Sequence, residues 1–248
     1  MIETSPATAL HAIGLNKSYG ALAATRDVSL SVPAGSALGI IGPNGAGKTT
    51  LFNLITGAVR ADSGEITLFG EDIARFDARR RCLAGIARSF QVPQPFTGLT
   101  TYENALIAAA FGRALSEKAA RPHAREALER VGLARKADMP AGNLTLLDRK
   151  RLELARALAT GPRLLLLDEI AGGMTEAECS ELVELVREIR DAGVTIVWIE
   201  HVLHALLKVV DRILVLDFGK VIAEGPPETI LRDPHVTSIY LGPEEIQA

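Results

Sequence analysis

Nine consecutive residues, Gly42-Pro43-Asn44-Gly45-Ala46-Gly47-Lys48-Thr49-Thr50, restrict this 248-residue chain more than any other stretch. They fit the phosphate-loop pattern G-x-x-x-x-G-K-[ST], with Gly42, Gly47, Lys48 and Thr49 at its fixed positions. Glycine lets a backbone wrap closely around a polyphosphate, so that successive amide N–H groups point inward as an anion nest. The apolar run Leu38-Gly39-Ile40-Ile41 reads as a buried strand entering the loop, and the segment from Thr50 to Ile55 begins a helix leaving it. That helix adds its positive N-terminal end. Lys48 is placed to reach the β- and γ-phosphates, and the Thr49 hydroxyl to help hold Mg²⁺. A ligand with a phosphate tail is the expectation.

Elsewhere the pattern is α/β. Residues 10–40 alternate apolar and polar positions with turn signals at Tyr19-Gly20 and Pro33-Ala34-Gly35, which predicts an antiparallel β-layer ahead of the nucleotide strand. A further short strand is expected over 63–70, bounded by glycines. From about Arg88 the texture changes to Ala- and charge-rich helical spacing over 101–113 and 116–131, and strand-like runs return only at Leu164. Residues 93–158 therefore read as an inserted helical subdomain within a core made of 1–92 and 159–248. In that second part, strands over 164–167, 194–199 and 213–216 alternate with helices over 176–192 and 204–210. This is the pattern of a mainly parallel sheet covered on both faces. A short helix is expected over 228–232.

Bulk properties exclude more than they specify. A net charge of −3 gives no reason to expect nucleic acid as a partner. Cys82 and Cys179 lack metal or redox spacing and read as free thiols of a reducing compartment. The first ten residues have no basic and apolar regions of a signal peptide, and no apolar run approaches the ~18 residues that span a bilayer, so a membrane role requires a partner.

The four leucines 164–167 run into Asp168-Glu169, a buried strand whose C-terminal end presents two carboxylates. Ligands of open α/β sheets bind at that end. Asp168 is expected to take Mg²⁺ directly or through water, and Glu169 to act as general base for an attacking water. His201 follows the strand ending at Ile199. A lone histidine is more often structural, but its place beside the site makes it a candidate γ-phosphate contact. Gln91 stands where the core gives way to the helical segment, and Tyr19 is an aromatic beside a glycine near the start.

The order Tyr19, phosphate loop, Gln91, Asp168-Glu169 and His201 resembles the ATP-binding subunits of ABC transporters over essentially the whole chain. It is most similar to the ATPases of branched-chain amino acid importers in Ala87-Arg88-Ser89-Phe90-Gln91, the helix core 152–158, the stretch 219–225 and the closing Tyr240-Leu241-Gly242. Urea and related amide importers share much of this pattern. The resemblance implies a P-loop NTPase (RecA-like) core binding ATP and Mg²⁺. Tyr19 would stack on adenine, Gln91 would contact Mg²⁺ and sense the membrane partner, and His201 would act as switch histidine. Thr49, Gln91 and Asp168 become the metal set.

The resemblance also implies partners: permease subunits, a second ATPase chain of the same or a paralogous kind, and indirectly a solute-binding receptor. The protein would work in the cytoplasm, peripherally on the inner face of the cell membrane. Two ATPs would lie between paired ATPase chains, each facing the other chain's signature motif, usually Leu-Ser-Gly-Gly-Gln. Here that stretch is Leu144-Thr145-Leu146-Leu147-Asp148, with leucines where close backbone approach favours glycine. The expectation is that the amides still reach phosphate with the leucine side chains turned away. Thr175 stands where the family has an Asp that contacts the opposite chain. Alternatives are a lipopolysaccharide-export ATPase, a nucleotide-dependent binding module with weak hydrolysis, and a translation or DNA-repair clamp. The clamp is disfavoured by the single ATPase domain and the slightly negative charge.

Overall fold

Which way each strand residue faces decides the layering. A computed structural model describes residues 7–240 of the chain. β1 (Thr8–Tyr19) and β2 (Leu22–Pro33) pair antiparallel, with His11 opposite Ser31 and Ala12 opposite Leu30. β4 (Ser63–Leu68) and β5 (Glu71–Asp72) complete a four-stranded layer in the order β2-β1-β4-β5. This is the antiparallel layer the alternation predicts.

The second sheet is built on β3 (Ala37–Ile41), whose five residues are all buried. Its other strands are β6 (Ile86–Arg88), β7 (Leu164–Asp168), β8 (Thr195–Ile199), β9 (Arg212–Asp217) and β10 (Lys220–Gly225), in the order β10-β9-β3-β8-β7-β6. All neighbours are parallel except the β9–β10 hairpin. Both faces are apolar because both are covered. On one face Leu38, Ile40, Leu164, Leu166, Val197 and Leu214 pack with the antiparallel layer and α1 (Lys48–Thr56). On the other Ile41, Leu165, Leu167, Ile196, Trp198 and Val215 pack with the helices.

α2 (Ala78–Leu83) precedes β6. Between β6 and β7 come α3 (Thr101–Gly112), α4 (Glu117–Arg130), two 3₁₀ turns at Ala134–Lys136 and Ala141–Asn143, and α5 (Leu146–Ala159). α6 (Glu176–Asp191) joins β7 to β8. α5 starts at Leu146 because the Thr145 hydroxyl accepts from the Asp148 N–H, capping the helix.

Three sequence expectations need correction. The helix expected over 204–210 is a single turn, α7 (Leu203–Leu206); no side chain caps it, and Val209-Val210 leads into β9. The helix over 228–232 is likewise one turn, α8 (Pro227–Ile230), begun by Pro227 at its first position. β6 and β10 were not expected as strands. Three residues cannot establish an alternation, and β10 is a half-buried edge strand whose register shifts between Val221 and Ala223. The last described element is α9 (Pro234–Tyr240); Leu241 and Gly242 of the closing motif lie outside the described residues.

Candidate functional site: a phosphate loop at the strand ends

The loop 42–50 leaves the C-terminal end of β3, between β8 and β9, where the sheet opens toward a ligand. Two of its glycines are sterically required. A Cβ at Gly42 would fall 2.1 Å from the Leu216 carbonyl oxygen, and one at Gly47 would fall 2.3 Å from that of Ala24. Gly47 also has φ 101°, a left-handed conformation that side chains oppose. The helix behind it is capped by no side chain, whereas α2 through α6 are each capped by one: Asp77, Thr100, Ser116, Thr145 and Thr175. The first amides of α1 are thus left for an external acceptor.

Lys48 is buried, and its Nζ donates to the carbonyls of Gly42 (2.6 Å) and Pro43 (3.0 Å). Burial pushes its pKa below the ordinary lysine value, against the pull of the nearby Glu169 and Asp168 carboxylates. A cleft of about 300 Å³ lies over the loop, walled by Tyr19, Leu22, Arg26, Glu169 and Phe218 together with residues 44–50. Tyr19 is half exposed, with the Lys17 ammonium 5.6 Å from its ring centre. The nest, the buried ammonium and the aromatic wall fit a nucleoside polyphosphate.

Asp168 closes β7 and Glu169 begins the loop after it, with φ 47°. The Glu169 N–H donates to Ile199 O at 2.8 Å, which ties the acid to the end of β8. One Glu169 oxygen faces His201 Nε2 at 2.6 Å, and the other accepts from the Gln91 amide. Three residues read separately from the sequence therefore meet in one cluster. Of the expected metal set, Asp168 offers a carboxylate, Thr49 a hydroxyl and Gln91 an amide oxygen. Among the described residues no group of three or more His, Cys, Asp and Glu could hold a metal alone. A set with one carboxylate suits Mg²⁺ whose coordination is completed by phosphates and water.

Sequence reasoning missed the residues that hold this cluster. Arg88 Nη2 donates to Asp168 Oδ2 at 2.5 Å and Nη1 to Asn53 Oδ1 at 2.7 Å, with the guanidinium lying over the rings of Phe52 and Phe90. Glu200 is fully buried and accepts from the N–H groups of Ala171, His201 and Val202, fixing the backbone on both sides of the site. Lys150 of α5 donates to the Ile170 and Gly172 carbonyls, so the loop after Glu169 is tied to the helical region.

The stretch 144–148 lies apart; none of its residues lines the cleft. The Thr145 hydroxyl also donates to Asp148 Oδ2, and Asp148 is paired with Lys136. Leu146 is exposed and Leu147 half-buried. Thr175 caps α6 in a reciprocal pair with Glu178.

Residues 25–172 match the ABC transporter family model, and residues 220–242 match that of the branched-chain amino acid ATP-binding cassette transporters. The high-affinity branched-chain amino acid transport ATP-binding protein of Salmonella typhimurium is 38% identical, over 92% of this chain and 96% of its own length. The lipopolysaccharide export system ATP-binding protein of Haemophilus influenzae is 35% identical, over 94% and 97%. Among solved structures, the ADP conformation of an ATP-binding cassette of an ABC transporter superposes with a TM-score of 0.88 at 33% identity, covering 95% of this chain and 99% of that one. No helix among the described residues is long and apolar enough to cross a membrane. With a family model across more than half of its length and relatives aligned over nearly all of it, this chain belongs to the ABC transporters, as an ATP-binding subunit with ATPase activity.

Proposed function

We propose that this ATPase drives import of a branched-chain amino acid or a related amide through membrane permease subunits, working at the inner face of the membrane as one of a pair of ATPase chains. A solute-binding receptor would act indirectly through the permease. The observation that carries the import reading is the match of residues 220–242 to the branched-chain amino acid transporter model. An apolar groove of about 360 Å³, lined among others by Arg88, Phe90, Ala108 and Arg156, adjoins Gln91 in the sequence and suits a permease segment. The division into a core of 1–92 and 159–248 and an insert of 93–158 belongs to this proposal. Reconstitution with permeases should make hydrolysis respond to leucine or a related amide; no response to any such solute would favour the export alternative.

In the proposed reaction, water attacks the γ-phosphorus in line, the bond to the β–γ bridging oxygen breaks, and the water proton passes to Glu169. Tyr19 supports the adenine, and backbone N–H groups within 44–50 with Lys48 hold the phosphates. Mg²⁺ bound through Thr49, Asp168 and Gln91 would neutralise charge on the β- and γ-phosphates. His201 would stabilise charge developing at the γ-phosphate. Both Glu169 oxygens are occupied, by His201 and Gln91. Each oxygen keeps a second lone pair for the attacking water, and slow turnover by the isolated chain is expected because closure over the nucleotide needs a partner chain.

Glu169→Gln should bind ATP without turnover and accumulate a dimer on size exclusion, while Lys48→Ala should lose nucleotide binding. Unchanged turnover and dimer population in Glu169→Gln would remove Glu169 as base.

A second reading, binding with weak hydrolysis, is supported by the Thr145–Asp148–Lys136 ties and the exposed Leu146. ATPase rates of Leu147→Gly separate the two. The hydrolytic reading expects a change below about twofold. A gain of about tenfold, equivalent to about 1.4 kcal/mol of barrier, would favour the second.

A further inference from the structure

The β9–β10 hairpin turns over two residues, Phe218 and Gly219, with Asp217 paired to Lys220. Both turn residues have positive φ, 42° and 77°. Two-residue turns of this form favour Asn, Asp or Gly at the first position, where a bulky L-residue is strained. Phe218 gains no burial in return. It is 78% exposed, the most exposed large apolar side chain among the described residues. An aromatic ring held outward at a strained position, against local preference, points to a task beyond folding.

The surroundings define the task. The hairpin tip is pinned to the phosphate loop and to β2: Gly219 N donates to Ala46 O at 3.0 Å, and Arg26 N donates to Gly219 O at 2.7 Å. A Cβ at Gly47 would lie 3.5 Å from Gly219 Cα, so the turn and the loop are in contact. The backbone that carries Phe218 therefore stands at a fixed offset from the polyphosphate nest. Phe218 walls the same cleft as Tyr19 and as Leu22, itself two-thirds exposed. Two rings and a leucine around an open cleft, next to a phosphate nest, suit a flat heteroaromatic ring attached to a polyphosphate.

We propose that Phe218 is a second base-contacting residue of the nucleotide site, giving the base an apolar wall besides Tyr19. This rests on the reading of residues 42–50 as a nucleotide site. The phosphates are held by the loop and the base by the two aromatic walls, so loss of one ring weakens binding only of ligands that carry a base.

The test compares Mg²⁺·ATP with Mg²⁺·tripolyphosphate, measured by calorimetry on the full chain and on Phe218→Asn and Phe218→Tyr. Asn suits the turn, so Phe218→Asn should melt no lower than wild type. It should bind ATP about tenfold more weakly, in the range of one base–aromatic stack, and tripolyphosphate within about twofold of wild type. Phe218→Tyr should keep wild-type ATP affinity. ATP affinity unchanged in Phe218→Asn would overturn the proposal. So would an equal loss of ATP and tripolyphosphate, which would make Phe218 a support of the loop. A defect confined to ATP-driven dimerisation would also overturn it, assigning the ring to the subunit interface. Wild-type protein that binds neither probe would overturn the nucleotide-site reading, and this proposal with it.

Discussion

Arg88 connects three parts of the molecule through one guanidinium: α1 by Asn53, the β7 acid by Asp168, and the start of the Gln91 segment by Phe90. The Arg88–Asp168 pair is largely buried, with side chains 10% and 9% exposed. Removing one partner of such a pair leaves a charge without compensation. Arg88→Met should therefore destabilise the fold by about 3 kcal/mol in chemical denaturation. Arg88→Met combined with Asp168→Asn should lose clearly less than the two single losses together; additivity would refute the coupling. Arg88 was not legible as a site residue because its partners stand 35 and 80 positions away. The phosphate loop was legible for the opposite reason: its chemistry is contiguous. Glu169 and His201 were nameable at strand ends and Gln91 where the core gives way to the helical insert, but only folding brings the three into one hydrogen-bonded cluster.

Among α1 to α6, capping separates the helix that faces the ligand, which has no side-chain cap, from the other five. α3 and α6 carry complete capping boxes, Thr100 with Glu103 and Thr175 with Glu178. In both, the backbone N–H of the cap threonine and then its hydroxyl hold the glutamate below its ordinary pKa. A carboxylate with a depressed folded pKa contributes stability above its unfolded pKa and loses it as pH falls through the folded one. Acid unfolding should accordingly steepen below the ordinary glutamate range. Thr175→Ala should flatten that limb and destabilise by about 1 kcal/mol at neutral pH. Urea denaturation across pH 2–7 would read both effects, at roughly that resolution. An unchanged acid limb would show that the Thr175 box contributes nothing in solution. Thr175, expected from the resemblance to stand at the position of an interface acid, has local bonds to Glu178 that give it a structural task its position alone did not suggest. Long elements such as α4, α5 and α6 were visible from apolar spacing. β6 and β10 were not, and α7 was expected longer than it is, because they are set by pairing and packing partners rather than by their own few residues.

The alternation of strands and helices predicted a mainly parallel sheet, and the sheet is parallel from β9 across to β6. Strand order was beyond that pattern. β3 is the first strand of this sheet in the chain yet lies between β8 and β9, tied to them by contacts of high sequence separation. The Gly35 N–H reaches the Thr195 hydroxyl across 160 positions, and the Ala37 N–H reaches the Asp211 carboxylate across 174. The wholly apolar strand that carries the phosphate loop thus has neither neighbour until most of the protein exists. At ribosomal rates of about 5–20 residues per second, this interval lasts roughly 10–35 s. A fragment ending before residue 195 should aggregate or stay bound to a holdase chaperone, and should bind no ATP although it contains the entire loop. A soluble fragment with native ATP affinity would contradict this. The nucleotide pocket is therefore among the last parts of a nascent chain to form. On this expectation no half-built chain is nucleotide-competent, since phosphate recognition and completion of the central sheet arrive together.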